Sequence, residues 1–415
     1  MPFYHIWTIG CQMNRAESER LASALSLQGY RPSNADRADL IIANTCVVRG
    51  HAEEKVLNKL QNLKALKLKR PEMKLAVTGC FVEGEAHKLK ERFPFVDYFF
   101  AAGVVPDWVS ASRPLFVDKP QVSVYVPIIQ GCNNFCSYCV VPYRRGRERS
   151  RPWDEIIGEV GNLVRNGARE VTLLGQNVDS YGHDLPGKPD LAGLMGELNG
   201  IRGLARIRFL TNHPKDMGNK LINAIATLEK VCHSINIPVQ AGDDRILKDM
   251  RRGYTVEQYR SLIGNIRSRV PDIAITTDVI VGFPGETEEE FLNTARLLAE
   301  LMFDAVHSAA YSQREGTHAS RLADDVLPKS KKERLFLIEQ QQELISAEIN
   351  AGLLGRSEEV LVEGRHKGKW QGRARSDKLV FFTGGEHLVG SLVPVRIEKT
   401  GPWSLQGTLD GSEKW

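Results

Sequence analysis

Cys132, Cys136 and Cys139, spaced Cys-x3-Cys-x2-Cys inside Gly131–Cys139, constrain this chain more than any other feature. Three thiols within nine residues are not presented by a regular helix or strand. They call for a loop wrapped around one object. With no fourth thiol in that loop, a metal centre held there keeps an open position. Cysteine thiolates hold iron–sulfur clusters, and four ligands normally saturate a four-iron cube. A cube with three protein ligands leaves one iron free for a small molecule. A zinc knot is the alternative, but zinc favours paired Cys-x2-Cys or Cys/His sets of four ligands.

The N-terminal third repeats one unit three times. His5–Cys11, Leu40–Cys46 and Leu75–Cys80 are short apolar strands, each ending in a thiol. Helical patterns follow at Asn14–Gln28, Ala52–Lys69 and Glu83–Arg92. The thiols are 35 and 34 residues apart. Strands alternating with helices at that period imply a parallel sheet of βα units. Such sheets build sites outside the carboxyl ends of their strands, where Cys11, Cys46 and Cys80 all fall. One cysteine after a strand is ordinarily a small hydrophobe. Three at equivalent places read as ligands of a second cluster. After Arg92 the pattern weakens into a last strand and turn near Phe93–Gly103, and Ser112–Pro120 reads as a linker.

A longer βα series starts at Val122. Strands are expected at Val124–Gln130, Val171–Leu174, Ile207–Thr211, Ser234–Val239, Ile275–Val281 and Ala305–Tyr311. Helices are expected at Trp153–Asn166, Lys215–Leu228, Asp244–Met250, Thr255–Arg269, Thr287–Leu301 and Lys329–Asn350. Six strands with intervening helices make a partial (β/α)6 barrel whose chemistry lies at the C-terminal mouth. Its strand ends carry Gln176, Asn177, Thr211, Gln240 and Asp278, polar groups placed to hold a polar ligand. Cys232, before a strand, reads as buried packing.

From Gly355 onward short strands parted by Gly, Ser and Asp predict a small β-barrel like an oligonucleotide-binding fold. Phe381, Phe382 and Trp403 are its possible base-stacking groups, with core packing as the alternative for such aromatics. The formal net charge is only +4, but the basic residues cluster. Arg144, Arg145, Arg147, Arg149 and Arg151 follow the Cys loop, and Arg365, Lys367, Lys369, Arg373 and Arg375 sit in the terminal part. Both runs suit a phosphate backbone.

Gly131–Cys139 resembles the signature of the radical S-adenosylmethionine (SAM) superfamily, down to the aromatic Tyr138 before the last cysteine. The order of a three-Cys βα domain, an open six-strand barrel and a small terminal barrel, the TRAM domain, resembles the methylthiotransferases over essentially the full chain. Gly175–Gly182 and Gly131–Pro152 are similar to the branch that acts on tRNA, converting N6-isopentenyladenosine beside the anticodon into its 2-methylthio form. Ala241 and Asn212 stand where that family commonly has Ser. The resemblance implies two 4Fe-4S clusters, one on Cys132, Cys136 and Cys139 and one on Cys11, Cys46 and Cys80. It also implies SAM bound near Tyr138, Gln176, Asn177, Thr211, Gln240 and Asp278. An electron donor such as flavodoxin or ferredoxin is expected, and the tRNA anticodon arm as substrate.

The expected fold is therefore α/β with three domains: 1–118 with the auxiliary cluster, 119–350 the radical SAM barrel, and 351–415 the RNA-binding β-barrel. Methylthiolation of a ribosomal protein or of threonylcarbamoyl-adenosine in tRNA is the competing activity, and an iron–sulfur RNA-binding or redox-sensing protein the non-enzymatic one. No run of eighteen apolar residues predicts a membrane span. The start lacks the pattern of a signal peptide, so a cytoplasmic monomer is expected, with cysteines serving metal rather than disulfides.

Overall fold

β1 (Phe3–Thr8), β2 (Arg31–Pro32), β3 (Leu40–Thr45), β4 (Lys74–Gly79) and β5 (Tyr98–Phe99) form one parallel sheet in the order β2-β1-β3-β4-β5. A computed structural model describes residues 1–46, 50–82, 86–109 and 121–411, with the side chains of 50–52 and 86–87 outside that description. The linker expected at Ser112–Pro120, the domain boundary at 118 and the start of the helix expected from Glu83 lie outside the described residues. The run Leu40–Thr45 is buried throughout, as a parallel strand covered on both faces requires. On one face Ile41, Ala43, Leu75 and Val77 pack on Val56, Leu60 and Leu63 of α2 (Gly50–Lys69). On the other, Leu40, Ile42 and Ala76 meet Leu21, Ala24 and Leu25 of α1 (Gln12–Leu27). α3 (Ala86–Arg92) leads toward β5.

The central part begins with β6 (Ser123–Pro127) and a short antiparallel pair, β7 (Ile129–Gln130) with β8 (Arg149–Ser150). That pair closes the neck of a loop holding the three cysteines and α4 (Val141–Arg145). α5 (Trp153–Arg165), β9 (Glu170–Leu174), α6 (Leu191–Asn199), β10 (Arg206–Phe209), α7 (Asn219–Thr227) and β11 (Ser234–Asn236) follow. Then come α8 (Asp244–Asp249), α9 (Val256–Arg269), β12 (Ala274–Val281), α10 (Glu288–Leu301), β13 (Ala305–Ala310) and α11 (Pro328–Ala351). All six strands pair in parallel as two arcs, β6-β9-β10 and β11-β12-β13. A single bridge, Ile207 to Val231, joins the arcs. Only Ser234–Asn236 of the strand expected to reach Val239 keeps its ladder. The helix Leu191–Asn199 escaped the sequence reading because its Leu-Ala-Gly-Leu-Met-Gly run carries two glycines, poor helix formers. It is set instead by the Asp190 cap, which accepts from Gly193 N at 2.9 Å, and by burial of Leu191, Leu194, Met195 and Leu198.

β14 (Ser357–His366), β15 (Lys369–Ala374), β16 (Leu379–Thr383), β17 (Leu392–Thr400) and β18 (Leu405–Leu409) close into the expected five-stranded barrel. It is docked by arginines that a sequence pattern does not flag. On β10, Ile207 and Phe209 join the core under the helices, so Arg206 and Arg208 project from the opposite face. Arg206 donates to Arg373 O at 2.6 Å and to Glu359 O at 2.8 Å, and pairs with the Glu359 carboxylate at 2.9 Å. Arg208 donates to Ala374 O, Arg375 O and the Glu170 carboxylate. In return Arg375 donates to Glu229 O and Val231 O, and Lys378 pairs with Asp304 at 2.6 Å. Glu170 and Arg206 open their strands, and Val231 and Asp304 precede theirs. The terminal barrel therefore covers the N-terminal end of the partial barrel, away from the strand ends that carry the polar loops.

Arg206 is fully buried, whereas its partner Glu359 is partly exposed and regains water if released. Arg206→Ala should therefore lower unfolding free energy by about 3 kcal/mol, the bottom of the range for breaking a buried charged pair. Denaturant midpoints measure this, and proteolysis within 357–409 should quicken. Unchanged midpoint and cleavage would show that the barrel is held by other contacts.

Candidate active site

The loop of Cys132, Cys136 and Cys139 is clipped on several sides. Gly131 has φ 82°, and a Cβ there would lie 2.1 Å from Arg147 O, so only glycine lets the two ends of the loop approach. Gly131 N donates to Gln176 Oε1 at 2.5 Å. Asn133 is bound through N and Nδ2 to the Glu148 carboxylate at 3.2 and 3.1 Å. Ser137 N reaches Met250 O at 3.0 Å, and Ala319 N reaches Ser137 O at 2.7 Å. The three thiols lie within each other's electrostatic reach. Burial, with the neighbouring Cys136, pushes the Cys139 thiol up to about 12, and burial also raises Cys132. Thiols held apart from water in this way become thiolates when a metal binds, and the three-sulfur donor set fits an iron–sulfur cluster with one open position. Arg252, buried, donates to Cys136 Sγ at 3.3 Å, to Tyr138 Oη at 3.5 Å and to Pro238 O at 2.9 Å. Sequence reasoning missed it.

Cys11, Cys46 and Cys80 each follow a strand of the N-terminal sheet, β1, β3 and β4, which are neighbours in that sheet. Gly10 Cα lies so near Cys46 that an added Cβ would be 2.8 Å from Cys46 Cβ, and φ there is 137°. Cys46 and Cys80 share a hydrogen bond, which together with burial raises the Cys80 thiol well above its usual value. Cys11 donates to Asn14 Oδ1 at 3.2 Å. Asn14 and Asn44 bind each other across the strand ends, Asn14 Nδ2 donating to Asn44 Oδ1 at 2.9 Å and Asn44 Nδ2 to Asn14 O at 2.8 Å. Cys46 and Cys80 are buried and Cys11 is exposed, so this donor set opens to the surface on one side. The barrel supplies the cations around it. Arg145 donates to Cys80 Sγ at 3.1 Å, and Arg314 feels the charges of Glu53 and Cys46.

Of the six residues expected to hold a small polar ligand, Gln176, Asn177, Thr211 and Gln240 lie beyond the ends of their strands, Tyr138 sits in the Cys loop, and Asp278, expected at a strand end, lies within β12. Thr211 and Gln240 have φ of 76° and 73°, a region that costs a branched or long side chain about 1–2 kcal/mol. Strain of that kind clusters at ligand sites. Their main chains are tied, Val178 N donating to Thr211 O and Gln240 N to Asp278 O at 2.8 Å. Asp278 accepts from Asn236 Nδ2 at 2.9 Å. Asn177 donates to Asp216 at 2.7 Å, yet its Oδ1 is buried without a partner. Asn212 Oδ1, His213 Nε2 and Ser137 Oγ are likewise buried and unpartnered. Buried polar atoms are nearly always satisfied, and a polar ligand at this mouth would satisfy them. Among these, Ser137 was absent from the sequence expectation.

The basic residues separate. Arg145 was expected to grip RNA, but it is 6% exposed and holds Glu17 at 2.7 Å, so that assignment is corrected. Arg151 is tied to Pro127 O at 2.7 Å and Glu159 at 2.6 Å. Arg147 and Arg149 are exposed, and Arg147 lies 4.3 Å over the Phe135 ring, whose edge partner Tyr143 is 51% exposed. Arg144 is half-buried beside them. In the terminal barrel, Arg365, Lys367 and Lys369 face solvent, Arg365 resting 4.0 Å over Trp370. Arg373 pairs with Asp377 and Glu363, and Arg375 is bound to the central part. Arg375 therefore serves docking, a correction to its expected place on RNA, whereas Arg373 stays partly exposed within the terminal barrel. Phe382 is core, Phe381 half-buried and Trp403 61% exposed. No helix among the described residues is long and apolar enough to cross a membrane.

Comparison with known proteins bears on this geometry. Residues 126–298 match the model of the radical SAM superfamily, 4–101 that of the uncharacterized protein family UPF0004, and 353–409 that of the TRAM domain. The chain is 55% identical over 412 residues to the tRNA-2-methylthio-N(6)-dimethylallyladenosine synthase of Dehalococcoides mccartyi strain CBDB1, covering 99% of each. It is 50% identical to the protein of that name from Roseiflexus sp. strain RS-1, covering 99% of this chain and 90% of that one. Among solved structures it resembles the radical SAM methyltransferase TsrM of Kitasatospora setae, with TM-score 0.56, 14% identity and 77% of each chain covered. It also resembles the cobalamin-dependent SAM radical enzyme OxsB, with TM-score 0.51, 11% identity, 82% of this chain and 56% of that one. These structural likenesses support the fold.

His213 is 5% exposed and its Nδ1 accepts from Lys215 N at 3.3 Å, leaving the proton on Nε2. Burial, then the charges of Arg252 and Lys215, pulls its pKa down to about 2. The folded chain therefore keeps this imidazole neutral while the unfolded chain protonates it below about 6.5. Stability is unaffected above that pH and falls as pH drops beneath it. Between pH 6 and 5 the native chain should lose roughly 1 kcal/mol more than His213→Gln. Parallel denaturation curves at the two pH values check this; identical losses would mean His213 takes up its proton when folded.

Proposed function

The chain belongs to the family of tRNA-2-methylthio-N(6)-dimethylallyladenosine synthases, radical SAM methylthiotransferases, and from that membership and the site geometry we propose how its residues divide the work. The substrate is tRNA carrying N6-isopentenyladenosine beside the anticodon, and the product is its 2-methylthio derivative. The observation that supports the residue assignment is the placing of two separate three-thiol sets beyond the C-terminal ends of parallel strands, with Arg145 of the Cys-loop segment reaching Cys80.

Cys132, Cys136 and Cys139 hold the 4Fe-4S cluster that binds SAM, and Cys11, Cys46 and Cys80 hold the second. When bound, these groups supply a 5′-deoxyadenosyl radical for hydrogen abstraction at adenine C2 and the sulfur that becomes the methylthio group. The protein binds, orients and excludes water, as is usual where a cofactor carries the difficult chemistry. Gln176 fixes the Cys loop through Gly131 N. The unpartnered Asn177, Asn212 and His213 atoms hold the polar end of SAM, with Tyr138, Thr211, Gln240 and Asp278 shaping the rest of that pocket. The exposed side at Cys11 admits the adenine.

RNA is gripped by Arg147 and Arg149 beside Tyr143, and by Arg365, Lys367 and Lys369 on the terminal barrel; phosphate contacts fix register. The working units are 1–118, 119–350 and 351–415, acting as a cytoplasmic monomer reduced by a flavodoxin- or ferredoxin-type donor.

Reconstituted protein with Cys11, Cys46 and Cys80 all replaced by Ala should still form 5′-deoxyadenosine from SAM and dithionite. With hypomodified tRNA it should give no methylthio nucleoside by mass spectrometry. Methylthiolation by that variant would remove the sulfur role from the N-terminal domain.

A further inference from the structure

Arg145 is the last residue of α4, a helix that begins two residues beyond Cys139. The last ligand of the barrel site and a side chain that crosses to the other site thus lie only six residues apart. That side chain is almost wholly buried. Its Nε donates to Cys80 Sγ at 3.1 Å, its Nη1 to Glu17 Oε1 at 2.7 Å and its Nη2 to Glu17 Oε2 at 3.5 Å. Glu17 comes from α1 and Cys80 from the turn after β4, so a single guanidinium joins two elements of the N-terminal domain to the barrel. Burying such a pair seldom adds stability over apolar residues of the same volume. The sulfur contact gives the pair another use.

We propose that Arg145 is a positioning residue that sets the reduction potential of the cluster on Cys80, with Glu17 as its counterweight. The inference rests on the assignment of Cys11, Cys46 and Cys80 as ligands. Reduction adds negative charge to a cluster, and hydrogen bonds to its sulfurs together with local charge tune its potential. A buried cation donating to a ligand sulfur stabilises the reduced form and raises the potential. A buried carboxylate on the far side of that cation lowers it. The two residues must therefore act with opposite signs, which a purely mechanical role at the seam does not require.

The test uses the full chain with Cys132, Cys136 and Cys139 replaced by Ala, so that only the second cluster contributes. Its midpoint is read by an EPR-monitored redox titration, alongside Arg145→Met, Arg145→Lys and Glu17→Gln in the same background. Arg145→Met should lower the midpoint, Glu17→Gln should raise it, and Arg145→Lys, which keeps the charge but not the forked geometry, should fall between Met and the parent. If Arg145→Met holds no cluster, the signs of the Lys and Gln variants decide. Midpoints equal to the parent, or shifts of one sign in all variants, would overturn the proposal and leave a mechanical seam. A parent that loads no iron at all would overturn the ligand assignment itself, and this inference with it.

Discussion

Five of the six thiols proposed as cluster ligands are buried or half-buried, and each must become a thiolate to hold a cluster. That concentration of buried negative charge governs the architecture around it. An unpaired buried charge is expensive, so cations have to arrive from somewhere. They arrive from the barrel. Arg252 meets Cys136 at 3.3 Å, Arg145 meets Cys80 at 3.1 Å, and Arg314 lies within the field of Cys46. Two of these three compensate sulfurs of the N-terminal sheet rather than of the barrel that carries them. The N-terminal domain is thus electrostatically incomplete alone, which explains why a small βα unit is packed against the barrel instead of swinging on a linker.

The same logic separates chemistry from RNA handling. Thiols and polar orphans occupy the C-terminal ends of the strands, where turns are free to adopt strained conformations such as those of Thr211 and Gln240. The N-terminal ends, which need no such freedom, are sealed by the terminal barrel through Arg206, Arg208, Arg375 and Lys378. A barrel fixed there by main-chain hydrogen bonds holds its exposed Arg365, Lys367 and Lys369 in a constant relation to the mouth.

Much of this was legible in the sequence. The three N-terminal strands, the six-strand series and the five-strand barrel follow from local periodicity and turn residues, which act over a few positions, although the first strand stops at Thr8 rather than running on to Cys11. The shared position of Cys11, Cys46 and Cys80 follows from the repeat. What could not be read was the pairing of distant charges. Within the run Arg144–Arg151, nothing local distinguishes Arg145, which is buried against Glu17 from 128 residues away, from the exposed Arg147. Arg375 was misread for the same reason, since its partners Glu229 and Val231 lie across the chain. Arg252 carries no motif of its own and becomes visible only when folding brings it to Cys136.

Iron and acid-labile sulfide per chain, with Mössbauer spectra, test the central claim that the two triplets hold separate clusters. The native chain should carry about eight irons, and the Cys132/Cys136/Cys139 and Cys11/Cys46/Cys80 triple variants about four each, as 4Fe-4S. A triple variant that keeps the full complement, or one that loses both clusters while its fold persists, would contradict the account.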